Sequence, residues 1–262
     1  MNMNENLFDA IDPEITEKVI SRRNVLRGAG LMGAGLVLAS VPATFALLSN
    51  SAFGKQNTPQ DVTTVLNFAL TLEYLEEEFY QRAITASGLI ADAAEKAVFT
   101  QIHKHEAAHV AFLKGALGSA AVAKPTFDFT AGGAFPDPFT AGNYQTFLAL
   151  SQAFEDTGVR AYKGQAGNLI SDKATLTAAL QIHSVEARHA AEVRRIRGLK
   201  GWITGSDPGA GIPPQAAAVY AGEQVTSQLN IQIAGSSAAA SEAFDEPLTM
   251  EQVLAIAGLF IA

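Results

Sequence analysis

One nine-residue pattern occurs twice in this chain. Gln101-Ile102-His103-Lys104-His105-Glu106-Ala107-Ala108-His109 returns eighty residues later as Gln181-Ile182-His183-Ser184-Val185-Glu186-Ala187-Arg188-His189. The shared form is Q-I-H-x-x-E-x-x-H. On an α-helix, residues three apart lie about 60° from each other around the axis and one turn apart along it. Glu106 and His109 therefore share a face, and so do Glu186 and His189. Such a pair on each of two helices, with one Glu from each of two more, holds two iron or manganese ions inside some four-helix bundles. The repeat thus asks for two further helices, each with an inward Glu.

Composition narrows the chemistry. The chain has 262 residues, 48% hydrophobic and 17% charged, enough for one good core and an appended subdomain. The formal net charge of -8 gives no basic surface for nucleic acid. With no cysteine, zinc-finger, iron–sulfur and thiol chemistries are excluded. Any metal must be held by nitrogen and oxygen.

Residues 1–20 are polar and of mixed charge. Ser21-Arg22-Arg23-Asn24-Val25-Leu26-Arg27 then precedes an uncharged run from Gly28 to Gly54. Arginines ahead of a moderately apolar segment read as an export signal over residues 1–54, outside the fold. The S-R-R-x-x-L pattern resembles a twin-arginine signal, which engages a machinery that exports folded proteins. Such a protein is expected in the periplasm, in the cell envelope or outside a bacterium. Thr44-Phe45-Ala46 and Asn50-Ser51-Ala52 are imperfect cleavage sites. The alternative is an uncleaved membrane anchor with Arg22, Arg23 and Arg27 on the cytoplasmic side.

Thr58-Pro59-Gln60-Asp61 is helix-start chemistry. It predicts a first helix to about Ser87, stopped by Gly88 and carrying Glu73. A second runs from about Asp92 to Leu117, carries the first E-x-x-H and stops at Gly118. Residues 119–142 hold Pro125, Gly132, Gly133, Pro136, Pro138 and Gly142, which break helices. Phe127, Phe129, Phe135 and Phe139 are apolar anchors between them. A bundle with one long crossover needs such a segment, and 24 residues reach roughly 80 Å when extended. A third helix fits about Asn143 to Asn168. Ser171-Asp172 caps a fourth, which carries the second E-x-x-H and ends at Gly198. Arg194, Arg195 and Arg197 there suit the helix dipole. The predicted bundle is residues 58–198, followed by an extension over 199–262. Within that extension only Thr249 to Ile261 reads as a helix. Its Leu254, Ile256, Leu259, Phe260 and Ile261 are expected to dock on the bundle or on a partner.

The first and third helices share a further feature. Glu73 precedes Tyr80 by seven residues, and Glu155 precedes Tyr162 by seven. Seven is close to two turns, so each Tyr lies on its own Glu's face. The chain is a duplicated helical hairpin, E-x6-Y followed by Q-I-H-x-x-E-x-x-H. Two hairpins about a pseudo-two-fold axis would bring four Glu and two His together in the core. Four ionised carboxylates there need counter-charge. Two divalent cations supply it, and the mixed N/O set suits Fe or Mn and also admits Zn.

These residues resemble the ferritin-like superfamily, and among it the exported ferritin-like domain proteins that include the bacterial desiccation-related proteins. The resemblance is carried by Ala69–Tyr80 (A-L-T-L-E-Y-L-E-E-E-F-Y), by Glu155–Tyr162 (E-D-T-G-V-R-A-Y), by both E-x-x-H motifs and by Ala243–Thr249 (A-F-D-E-P-L-T). It implies an all-α, antiparallel four-helix bundle with a long crossover between helices 2 and 3. It also implies two iron ions, with Glu73 and Glu155 as terminal ligands, Glu106 and Glu186 bridging, and His109 and His189 on one ion each.

Other residues near these positions carry alternatives. Glu76 and Glu77 lie within a turn of Glu73 and compete with it as ligand; Glu73 is preferred because it matches Glu155 in the repeat. Glu78 reads as solvated and His105 as a surface residue. His103 and His183 are candidates to bond the ligands, or are satisfied interior histidines. Tyr80 and Tyr162 are candidates to bond ligand carboxylates or carry electrons, or else pack the core. Three functions fit: a di-iron oxidase or ferroxidase using O₂ or peroxide, a di-manganese enzyme that disproportionates peroxide, or a non-catalytic exported protein. The sequence leaves the oligomeric state open.

Overall fold

The computed structural model describes residues 61–206, 209, 212, 214–233 and 235–262. The expected export segment, residues 1–54, and the Thr58 cap lie outside them.

Helix α1 spans Val62–Thr85 and begins at Asp61, whose side chain makes no cap bond. Its first turn is closed by the Val65 amide donating to the Asp61 carbonyl. Helix α2 spans Ala93–Leu117; the Asp92 carboxylate accepts from the amides of Ala94 and Glu95, satisfying two of the orphan donors of a helix start. Gly118, at φ 55°, ends it. Helix α3 spans Tyr144–Gln165 and tightens into a 3₁₀ turn over Ala166–Leu169, so the helical run reaches the expected boundary in two forms. Helix α4 spans Lys173–Ile196, capped by Asp172 on the Thr175 amide and followed by Gly198 at φ 73°.

The two hairpins, α1–α2 and α3–α4, pack with α1 on α3 and α2 on α4. Tyr80 of α1 meets Glu155 of α3, while Tyr162 of α3 meets Glu73 of α1. The two pairs run in opposite directions along their helices, so α1 and α3 are antiparallel. The long segment between α2 and α3 is the crossover. Phe127, Phe129 and Phe135 are buried in it, each offsetting chain entropy by about 1.5–3 kcal/mol of burial. Phe129 and Phe139 lie 5.2 and 5.5 Å from the ring of Phe79. The Arg82 guanidinium caps Phe139 at 4.3 Å, a cation–π contact.

The extension wraps the bundle. It contains a 3₁₀ turn over Pro214–Tyr220, a hairpin of β1 Ser227–Gln228 and β2 Ile231–Gln232, helix α5 Ser237–Ser241, helix α6 Met250–Ala257 and a 3₁₀ turn over Gly258–Phe260. Helix α6 starts with a reciprocal Thr249–Gln252 capping box. Its docking face corrects the expectation. Val253, Ile256, Ala257 and Phe260 are buried, whereas Leu254, Leu259 and Ile261 are exposed. The buried set follows i, i+3, i+4, i+7, which is one helical face; Leu254 and Leu259 fall off it. The chain end then pairs with the crossover: Asp128 donates to the Phe260 carbonyl and Ala262 to that of Thr126, both at 2.9 Å.

Helix α3 is the centre of this arrangement. Every residue from Phe147 to Tyr162 is buried. The helix is covered on all sides by α1, α4 and the extension, and its buried polar residues Glu155, Asp156 and Arg160 each bond to one of these. At Gly164 a Cβ would stand 1.9 Å from the Leu248 carbonyl oxygen, so only glycine lets the extension lie this close.

Candidate metal centre

The core between the four helices is acidic. Glu73, Glu106, Glu155 and Glu186 are all 0% exposed. The fold puts them there because each sits at the middle of its helix, on the stripe that faces the bundle axis. His109 and His189 follow Glu106 and Glu186 by one turn and are also buried.

Both imidazoles aim Nδ1 inward. Nδ1 of His109 lies 3.1 Å from Glu73 Oε2, 3.0 Å from Glu106 Oε2 and 3.1 Å from Glu186 Oε1. Nδ1 of His189 lies 2.8 Å from Glu106 Oε1, 3.3 Å from Glu155 Oε2 and 3.9 Å from Glu186 Oε2. Two groups result, each with ligand atoms within 4.8 Å of one another: Glu73, Glu106, His109 and Glu186; and Glu106, Glu155, Glu186 and His189. Glu106 and Glu186 belong to both. The cluster therefore has two centres that share two carboxylates.

The outer carboxylates are braced crosswise. The Tyr80 hydroxyl donates to Glu155 Oε1 and the Tyr162 hydroxyl to Glu73 Oε1, both at 2.5 Å. Each tyrosine thus holds the Glu of the other hairpin, not the one two turns back on its own helix. Antiparallel packing of α1 on α3 is the reason. The bond occupies one oxygen and leaves Oε2 of each Glu facing a histidine.

The donors fit a cation better than they fit each other. Glu106 Oε1, Glu155 Oε2, both oxygens of Glu186 and Nδ1 of His189 make no hydrogen bond despite complete burial. Buried polar atoms are nearly always bonded, and these five point at common centres. Their charge is equally unusual. Burial pushes the Glu73, Glu76 and Glu106 carboxyls up, with the Glu186 charge adding to each. Burial lifts Glu155 to about 7. For Glu186 burial acts upward too, but the neighbouring His109 and His189 imidazoles outweigh it and hold the group at about 2. Burial works to lower His109, yet the Glu106, Glu186 and Glu73 carboxylates beside its Nδ1 lift it to about 12. Without a cation the cluster retains protons that bound metal would displace.

The neighbours divide clearly. Glu76 is buried but belongs to neither centre. Glu77 and Glu78 turn away to Lys124, at 2.8 and 3.1 Å. His103 lies 3.5 Å from Glu77 Oε1, and His183 is half-buried with Nε2 unbonded. Neither hydrogen-bonds a cluster carboxylate; both lie one turn beyond it on their helices. His105, expected at the surface, instead reaches His189, with its Nδ1 2.8 Å from Nε2 of that ring.

The arginine-rich end of α4 also differs from expectation. Arg194 is buried and forks onto Asp156 of α3 through both Nη atoms. Tyr220 of the extension donates to the same carboxylate at 2.6 Å. Arg160, 0% exposed, donates to the carbonyls of Val219, Ala221 and Glu246 and pairs with Glu223 at 3.0 Å. These residues hold α4 and the extension to α3. Arg197 donates to Gln152 of α3, so dipole compensation describes Arg195, which is solvent-exposed beside Glu192. The signal in the sequence was Asp156 and Arg160, an opposite-charge pair four residues apart in the third helix.

Fold and cluster together define a class: an antiparallel four-helix bundle with one long crossover and carboxylate–histidine groups suited to two metal ions in its core. The family model of the ferritin-like domain matches residues 61–199, from the start of α1 to just past α4 and more than half of the chain. The chain belongs to that family. No curated protein matches the sequence.

Proposed function

We propose that this chain is an exported di-metal carboxylate protein whose core centre, filled by iron, oxidises Fe(II) or reduces O₂ or peroxide. The observation that carries this reading is the pair of four-residue groups sharing Glu106 and Glu186. Glu73 and His109 would complete one metal position, and Glu155 and His189 the other. Bound there, redox-active cations would exchange electrons with O₂ or peroxide. The chain's own work is orientation and exclusion of water. Tyr80 and Tyr162 hold one oxygen of each outer Glu and so fix where the other points. The buried helices keep bulk water from the carboxylates, which strengthens each charge–charge contact. Two histidines in the donor set favour iron, manganese or zinc over the hard cations magnesium and calcium.

Fe(II) added under air to metal-free protein tests the reaction. Its disappearance, followed with a ferrous chelator, should run well above the buffer rate, and Glu106→Gln should return it to background. Background oxidation by wild type would favour manganese chemistry or the non-catalytic exported reading that the desiccation-related resemblance implies.

Export is proposed from Arg22 and Arg23 ahead of the Gly28–Gly54 run. A twin-arginine route would carry a bundle already folded around its metal. Changing both arginines to lysine keeps the charge, and the variant should accumulate in the cytoplasm. Normal export of that variant would remove the twin-arginine reading and leave a general signal or an anchor.

A further inference from the structure

The two centres are built alike. Each has one outer Glu braced by a tyrosine at the same distance, one histidine aimed through Nδ1, and a share in Glu106 and Glu186. They differ at the back of the histidine ring. Nε2 of His189 lies 2.8 Å from Nδ1 of His105. The two ring planes are 10° apart and their centroids 5.1 Å apart. Gln101, one turn back on α2, places its amide nitrogen Nε2 2.7 Å from Nε2 of His105. A chain of three side chains therefore runs from exposed Gln101 through half-buried His105 to the ring at the second centre.

His109 has no such partner. Its hydrogen bonds go inward to Glu73 and Glu106, and among the described residues none reaches its Nε2. The repeat supplies the reason. The position of His105 in the first copy of the nine-residue pattern is Val185 in the second, and valine has no polar atom to offer. The asymmetry is therefore encoded at a single position of the duplicated motif.

This difference bears directly on metal affinity. An imidazole that binds a cation through Nδ1 must carry its proton on Nε2, and an acceptor behind that N–H fixes both tautomer and ring orientation. Nδ1 of His105 is such an acceptor. The proton of His105 then sits on its own Nε2, and the Gln101 amide, whose Nε2 faces that ring here, accepts it after a half-turn that exchanges Nε2 for Oε1. Loss of a partner of this kind costs about 10–100-fold in metal affinity. We propose that His105 is a positioning residue that orients His189 and makes the two metal positions unequal, so that a divalent cation fills the Glu106–Glu155–Glu186–His189 position first. The proposal rests on the reading of the cluster as a two-metal site.

The test is stepwise addition of Co(II) to metal-free wild type, His105→Val and His105→Asn, followed by visible absorption and by calorimetry. Valine copies the second repeat; asparagine puts an acceptor oxygen close to where Nδ1 of His105 stands. Wild type should bind in two steps separated by about 10–100-fold in affinity. His105→Val should weaken the first step by that factor and leave the second in place, merging the two. His105→Asn should restore much of the separation, which a purely structural role for the ring would not predict. His105 is half-exposed on a helix, so both variants should melt close to wild type. Two equal steps in wild type, or an unchanged first step in His105→Val, would overturn the proposal while leaving the metal site standing. Failure of wild type to bind Co(II) at all would overturn the metal-site reading and this inference with it.

Discussion

Metal-free protein should lose stability steadily from about pH 4.5 to about pH 8, whereas metal-loaded protein gains it over the same interval. The direction follows from the carboxyl groups that burial pushes up. Glu155 moves from 4.5 to about 7, so the folded state binds its proton more tightly than the unfolded chain does. The stability this contributes is fully present below pH 4.5 and is lost as pH rises through 7. The loss is about 3 kcal/mol, at about 1.4 kcal/mol per pH unit. His109, moved from 6.5 to about 12, acts with the same sign above pH 6.5 and removes about 2 kcal/mol more by pH 8. Together these correspond to a fall in Tm of about 10–20 °C for a chain of this size. Glu186, held at about 2, works the other way only below pH 4.5, where its contribution is lost as pH falls through 2. Bound cations replace the stored protons and stabilise the folded state by mass action, more strongly as pH rises. Thermal melts of both forms across this range decide the matter. Parallel profiles would mean that these carboxylates do not meet at a metal site. In the metal-free protein Glu106→Gln should make the slope shallower, because it removes one of the groups that gains a proton on folding.

Arg160→Ala should lower the unfolding free energy by about 3–5 kcal/mol, the cost of breaking a buried pair from one side. The guanidinium is the anchor of the extension. It satisfies the carbonyls of Val219, Ala221 and Glu246 and faces the buried Glu223 carboxylate. Removing it leaves the buried Glu223 carboxylate and the Val219 carbonyl without this partner. The expected result is selective: faster hydrogen exchange and earlier proteolysis across residues 214–248, with α1, α2 and α4 still protected. Adding Glu223→Gln should recover part of the loss, since it removes the unpaired charge. Uniform destabilisation of the whole chain, with no early release of the extension, would contradict this picture of Arg160.

What the sequence made legible was what periodicity and repetition encode. Glu73, Glu106, His109, Glu155, Glu186 and His189 could be singled out because the hairpin occurs twice, and the duplication selects matching positions without any knowledge of packing. The crossover was legible because proline and glycine interrupt the helical pattern while four phenylalanines remain to anchor it. The tyrosines show the limit. Spacing along one helix puts Tyr80 on the face of Glu73, but whether it touches Glu73 or Glu155 depends on the direction of the helix opposite. From sequence alone His105 reads as a surface residue for the same reason: its partner is 84 residues away, and only the pairing of α2 with α4 brings them together. The extension was the least legible part. Its elements are two to eight residues long, too short to show a period. Part of its tie to the bundle runs through the backbone carbonyls of Val219, Ala221 and Glu246, which carry no side-chain signature. Arg194 belongs to this group too, because a cation at the end of a helix reads as dipole compensation until its buried partner Asp156 is known.

The most direct test of the central claim is the metal content of the protein taken from its native compartment. Elemental analysis of wild type should give about two transition-metal ions per chain. The Glu106→Gln, Glu186→Gln double variant, which loses both shared carboxylates, should retain far less than one. A wild-type chain that carries no transition metal, or a double variant that carries as much as wild type, would contradict the two-centre account.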